Sequence, residues 1–321
     1  MGRGVLEVDD VVRQAAIFPG QGSQAIGMGA DVAANAPQAR RVFERAQHVL
    51  GYDLLALQEN GPEEKLRETQ YSQPAIFTTN LAIYYAAGDA VKPVVSAGHS
   101  FGEICSLTIA GALTFEEALR IVDERGKAMQ AAAEQAAGGM SAVLGLDAGR
   151  IRDIVARTRE QNGGRIQLAN FNSPAQIVIS GDLHAVQHAG EALLEGGAKR
   201  VVPLNVSGAW HSALMQPAVE RFAAAVNAAP FEVPQFDVIS NLDAQPYRDV
   251  AAIRKNLVRS IVDEVRWHDT ALALLHYDLE LVIEFGASAV LGPLMKRLPD
   301  APAVMNISDY AGIRKLQTSR V

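Results

Sequence analysis

Gly98-His99-Ser100-Phe101-Gly102 sets a serine between two glycines, each two residues away. An apolar run, PVVSAG (93–98), leads into it, and FGEICSLTIAGAL (101–113) reads as a helix running away from it. That context is what the G-x-S-x-G nucleophile elbow requires: the glycines relieve crowding where the chain turns sharply, and the turn exposes the serine hydroxyl. The helix start then offers N–H groups and a positive dipole end to an oxyanion. The alternative is a tight turn whose serine merely caps the helix.

A serine nucleophile needs a base, and the chain has seven histidines. His99 is next to Ser100 in the turn, so its side chain is expected to point elsewhere. His184 and His188 are four apart on a helix, a metal-compatible spacing, but no Glu follows His184 and H-E-x-x-H is not formed. A solvated helix face is the expectation there. His48, His268 and His276 have no distinctive surroundings. His211, in NVSGAWHSALMQPA, follows a strand end and a glycine and opens an apolar helix, which makes it the best candidate. The Gly-rich FPGQGSQAIGMG (18–29) lacks the lysine of a P-loop and the third glycine of G-x-G-x-x-G, so it reads as an open loop aiming N–H groups into a site. Arg125 sits late on a capped apolar helix. By pattern alone it is a surface arginine paired with Asp123 or Glu124.

The elements that must position these residues follow from periodicity and punctuation. AAIF (15–18), FDVIS (236–240) and LELVIEF (279–285) read as buried strands, and residues 36–50 and 72–90 as helices. TFEEALRIVDERGKAMQAAAEQ is a helix with Thr114 as N-cap and Glu117 completing a capping box. From residue 139 the order is strand, helix (Asp147 as cap), two strands around an Asn-Ser-Pro turn, helix, strand. This β-α-β-β-α-β order is the ferredoxin-like split motif. The chain is therefore expected to be α/β. A larger body with a parallel sheet (1–138 and 207–321) carries a small ferredoxin-like subdomain (139–206), and residues 1–14 form a short extension.

Composition narrows the function. The 321 residues are 49% hydrophobic and 20% charged, the balance of a globular chain that buries a large core unaided. The net charge of −7 argues against a general nucleic-acid binder. The single cysteine, Cys105, forbids an intrachain disulfide, fits a reducing compartment, and is expected to be packed in the core. No run approaches the roughly 18 apolar residues of a membrane span, and no signal peptide is visible. These features point to a cytoplasmic protein with no membrane or nucleic-acid partner, acting as a monomer.

Taken in order, FPGQGSQAIGMG, QPAIF, AGHSFGEICSLTIAGAL, ERGKAMQ, GMSAVLGL, NFNSPAQIVISG, VSGAWHSALMQPA, ISNLDA, VRWHDT and EFGASAVLGPLMKR resemble the malonyl-CoA:acyl-carrier-protein transacylase family, over about residues 15–310. The resemblance implies an α/β-hydrolase-like body with a ferredoxin-like insert. It implies ping-pong transfer: Ser100 takes an acyl group from a coenzyme A thioester, and the phosphopantetheine thiol of an acyl carrier protein removes it. His211 matches the family's base, oriented by a backbone carbonyl near VRW (265–267). The backbone N–H groups of Gln21 and Phe101 match the oxyanion hole. Arg125 matches the arginine that pairs with the free carboxylate of malonyl, which reverses its reading as a surface residue. His99 and Trp210 border the substrate. No metal or redox cofactor is implied, since the phosphopantetheine belongs to the carrier.

Two positions depart from the usual pattern. Phe101 replaces a common leucine, and its ring is expected to take up pocket volume. Trp210, where phenylalanine or serine is usual, favours malonyl over α-branched acyl groups, although the unusual Phe101–Trp210 pair leaves room for a different acyl group. Against a discrete malonyl transferase of fatty-acid or polyketide synthesis stand three other readings. One is an acyl hydrolase of the same fold that clears stalled carrier proteins, for which a carboxylate clamp has little use. The others are a non-catalytic carrier-binding module and a plain esterase. A basic patch for an acidic carrier is expected from Lys296 and Arg297, or from Lys199 and Arg200.

Overall fold

The structure is a computed structural model describing residues 12–319; residues 1–11 of the expected extension lie outside the described residues. Among the described residues nine strands run β1 Gln14–Phe18, β2 Pro93–Gly98, β3 Gly138–Leu144, β4 Ile166–Ser173, β5 Gln176–Asp182, β6 Arg200–Pro203, β7 Asp237–Ile239, β8 Leu281–Phe285 and β9 Ala303–Ile307. They form two sheets. The larger is wholly parallel, in the order β7-β2-β1-β8-β9. Every residue of β1 and β8 is buried, Gln14 and Glu284 included, which is why both are mostly apolar and not alternating. Helices cover the faces. The helix Pro37–Leu50 buries Ala39, Val42, Phe43 and Ala46, one stripe at helical spacing. The helix Phe115–Ala133 opens with the complete Thr114–Glu117 capping box.

The smaller sheet is antiparallel in the order β4-β5-β3-β6 and spans residues 138–203 with the helices Ala148–Asn162 and Leu183–Glu195. This is the ferredoxin-like arrangement, and Asp147 caps its first helix through the Arg150 N–H. It has a hydrophobic cluster of its own around Val143, Ile151, Ile177 and Leu193. A short parallel bridge sews it to the body: Phe171 N–H donates to Val265 O, and Val265 N–H to Ala169 O, both at 2.8 Å.

Three local expectations change. The helix after Ser100 ends at Ile109 and not at 113, because Gly111 turns left-handed (φ 77°) and starts a turn toward Thr114. The helix expected from 72 begins at Thr69, with Pro74 inside it. The edge strand β9 gave no signal, since its five residues are mostly half-buried and include Asn306. Among the described residues, no helix is long and apolar enough to cross a membrane. Cys105 is buried, and burial pushes its thiol pKa well up.

Candidate active site

The end of β2 delivers Ser100. Its φ of 55° puts a non-glycine residue in the left-handed region, the strained conformation of a nucleophile elbow. The flanking glycines are steric necessities: a Cβ on Gly98 would sit 2.0 Å from Gly102 C, and one on Gly102 would sit 2.4 Å from Phe18 O. The strain is held by Asn241, whose side chain accepts from the Ser100 N–H and donates to the Gly98 carbonyl, both at 2.7 Å. Asn241 is fixed in turn by buried Glu103, which accepts its backbone N–H at 2.7 Å and the Tyr247 hydroxyl on the other oxygen. Burial pushes the Glu103 carboxyl up to about 7.

His211 lies 111 residues further along and meets Ser100 directly, Nε2 to Oγ at 2.9 Å. It is buried and also left-handed (φ 56°). Its Nδ1 pairs with the Ser260 carbonyl at 2.7 Å, which fixes the tautomer with Nε2 free to accept. The carbonyl that orients the ring is that of Ser260, five residues before VRW (265–267), at the end of the helix Val250–Arg259. The Val265 carbonyl is already spent on β4. Burial first, then the Arg125 charge, pushes the His211 pKa down to about 3, so the ring is a neutral base at pH 7.

Arg125 is 1% exposed, and its Nη2 donates to Ser100 Oγ at 3.2 Å. The acids once considered as its partners are taken elsewhere: Asp123 by Lys127 and Glu124 by Arg221. Among the described residues Arg125 forms no ion pair, and burial lowers its pKa to about 10, still charged at pH 7. The backbone N–H groups of Gln21 and Phe101 donate to no protein acceptor among the described residues. The Gln21 side chain is pinned by Thr69 Oγ1 at 3.1 Å. A cavity of about 90 Å3 is lined by Gln21, His99, Ser100, Arg125, Trp210 and His211, with Met129, Met140 and Leu204 as apolar wall. The Phe101 ring does not reach it. The ring is buried in the core with the Arg125 guanidinium 6.0 Å from its centroid, which corrects the expectation that it fills the pocket. His99 borders the cavity and pairs through Nε2 with Asn172 of β4 at 2.9 Å. His184 and His188 lie on an exposed helix face, and no metal-binding cluster occurs among the described residues.

Sequence reasoning missed Asn241, Glu103, Tyr247 and Ser260. Asn241 stands inside a quoted motif, ISNLDA, but had no role; Ser260 acts through its backbone and has no residue-type signature.

A serine hydroxyl bonded to a neutral imidazole beside one small cavity can form and break an acyl-serine ester; the assembly is that of an acyl-enzyme catalyst. The acyl transferase domain family matches residues 16–311, and the chain belongs to it. It is similar to the malonyl CoA-acyl carrier protein transacylase of Salmonella typhimurium (40% identity, covering 93% of this chain and 97% of that one). It is also similar to the acyl carrier protein S-malonyltransferase of Vibrio cholerae, solved by crystallography (38% identity, TM-score 0.90, covering 95% and 99%). A malonyl-transacylase solved in complex with a type II polyketide synthase acyl-carrier protein matches equally well (38% identity, TM-score 0.91, covering 95% and 99%).

Proposed function

We propose that this acyltransferase moves a malonyl group from malonyl-CoA to the phosphopantetheine thiol of an acyl carrier protein, through a malonyl ester on Ser100. The observation that carries the choice of acyl group is Arg125, a buried guanidinium beside the nucleophile with no carboxylate paired to it among the described residues. A planar two-pronged cation in that position recognises a carboxylate. The relatives named for malonyl transfer, and the carrier complex among them, support the same reading.

In the first half-reaction Ser100 Oγ attacks the thioester carbon while His211 Nε2 takes its proton. The resulting imidazolium is held by the Nδ1–H bond to Ser260. The Gln21 and Phe101 N–H groups receive the oxyanion; one such donor is worth about 3–4 kcal/mol. Collapse expels the coenzyme A thiolate, which recovers the proton from His211. In the second half-reaction His211 takes the proton of the carrier's thiol. The sulfur attacks the ester, and Ser100 leaves with that proton. The chain works without a resident cofactor, as a cytoplasmic monomer.

The test is intact-protein mass after brief mixing with malonyl-CoA or acetyl-CoA, with and without holo carrier protein. Malonyl is expected to add to the chain, to vanish in Ser100→Ala, and to pass to the carrier. Equal loading of acetyl, with the adduct lost to water, would make the chain an editing hydrolase and refute the reading of Arg125.

A further inference from the structure

The base sits in the larger body, but part of its support comes from the smaller sheet. Gln167, the second residue of β4, lies across from the His211 loop. Its Nε2 donates to the His211 carbonyl at 3.1 Å and to the Val262 carbonyl at 2.9 Å, and its Oε1 accepts the Ala213 N–H at 3.2 Å. A primary amide has two donors and one acceptor oxygen, and here every group is engaged. These bonds fall where the chain most needs them. A left-handed non-glycine residue is strained and persists only where its surroundings over-determine it. Relaxation of His211 from φ 56° would swing its Cβ and carry Nε2 away from Ser100 Oγ. Val262 belongs to the same turn as Ser260, whose carbonyl orients the ring. One carboxamide thus fastens both the backbone of the base and the turn that orients it. Three residues along, the bridge between Asn170 and Val265 locks β4 to the body.

We propose that Gln167 is a positioning residue for acyl transfer: its carboxamide, reaching over from the antiparallel sheet, holds His211 in the strained conformation that presents Nε2 to Ser100. The inference rests on the reading of His211 as the base.

Two variants test it. Gln167→Met keeps the length and loses every hydrogen bond; Gln167→Glu keeps the shape and an acceptor for Ala213 but loses both donors. The readouts are the single-turnover rate of Ser100 ester formation, the KM for malonyl-CoA, and the low-field Nδ1–H proton resonance of His211. Displacing a reacting group by about 1 Å costs on the order of 100-fold. Loading is therefore expected to slow about 10- to 100-fold in both variants, with KM little changed and the His211 resonance broadened or shifted. Wild-type loading with an unshifted resonance in either variant would overturn the proposal. A measurement on the unaltered protein stands independently of variant folding: both Gln167 side-chain amide protons should exchange slowly with solvent, and exchange at the rate of a free amide would overturn the proposal. His211→Ala separates the two readings. If it is dead while Gln167→Met is fully active, only the Gln167 assignment falls. If it is fully active, the base falls and Gln167 with it.

Discussion

Replacing Arg125 by methionine should exchange substrate selectivity for stability. The guanidinium is 1% exposed, touches Ser100 Oγ at 3.2 Å, and lies 6.0 Å from the ring centroids of both Phe101 and Phe222. Truncating one partner of a buried charged pair costs about 2–5 kcal/mol. At about 1.4 kcal/mol per tenfold, kcat/KM for malonyl-CoA should fall about 30- to 5,000-fold. Acetyl-CoA has no carboxylate to lose and should change by less than about tenfold, the worth of the contact with Ser100. The ratio of malonyl to acetyl loading therefore collapses. The same charge works against the empty fold. Holding a guanidinium down from its ordinary 12.5 to about 10 costs the folded state about 3 kcal/mol, partly offset by the two aromatic faces. Methionine fills the space without the charge, so the variant should melt no lower than the parent. The assay is competitive loading of Ser100 from mixed malonyl- and acetyl-CoA, read by intact mass, beside a thermal melt. Equal losses for the two esters would show that Arg125 serves the nucleophile and not the substrate carboxylate, and the argument would fail.

His211, held down to about 3, stays an unprotonated base through mild acid, so the loading rate should be flat between about pH 5 and 8, without the fall near 6.5 of an ordinary imidazole. In Arg125→Met the nearby cation is gone, the histidine pKa rises, and the acid limb should move to higher pH. The same depression ties folding to pH: the unfolded chain binds this proton first, so His211's contribution is complete above about pH 6.5 and is lost as pH falls toward its folded value. His211→Gln should show a shallower loss of stability across that window in denaturant titrations. Trp210→Ala should open the apolar wall and raise methylmalonyl loading relative to malonyl by about 5- to 150-fold, the equivalent of about 1–3 kcal/mol of relieved overpacking; an unchanged ratio in competitive loading would take the indole out of the selectivity argument. Lys296 and Arg297 are exposed, and reversing both to glutamate should raise the KM for an acidic carrier while leaving hydrolysis of malonyl-CoA untouched, as steady-state kinetics against both would show.

What could be read in advance was local. The elbow announces itself because strand, glycines, serine and helix are contiguous, and the Thr114–Glu117 box because its partners are three residues apart. The ferredoxin-like order was legible because its six elements follow one another without interruption. Arg125 was not legible from pattern: the neighbouring acids look like its partners until Lys127 and Arg221 are seen to hold them, and Arg221 lies on another helix. Only the resemblance recovered it. Gln167 looks like any polar residue on a strand, since its meaning lies in backbone groups some 45 and 95 residues away. The Phe101 ring misled because a residue beside the serine in sequence can still bury its side chain in the core, where this one is 1% exposed.

Strand order also dictates when this catalyst comes into being. β1, at the centre of the parallel sheet, pairs with β2 and with β8, Gln14 against Leu281, so the second of its two neighbours is made some 180 residues after the first, with only the edge strand β9 still to come. Ser100 emerges early, but Gln167, His211, Asn241 and Ser260 follow it by up to 160 residues. A chain shorter than 211 residues therefore carries Ser100 without the His211 imidazole that hydrogen-bonds it. In refolding, helical content should return well before the capacity to form the serine ester, and the interval between the two would time the closure of the central sheet.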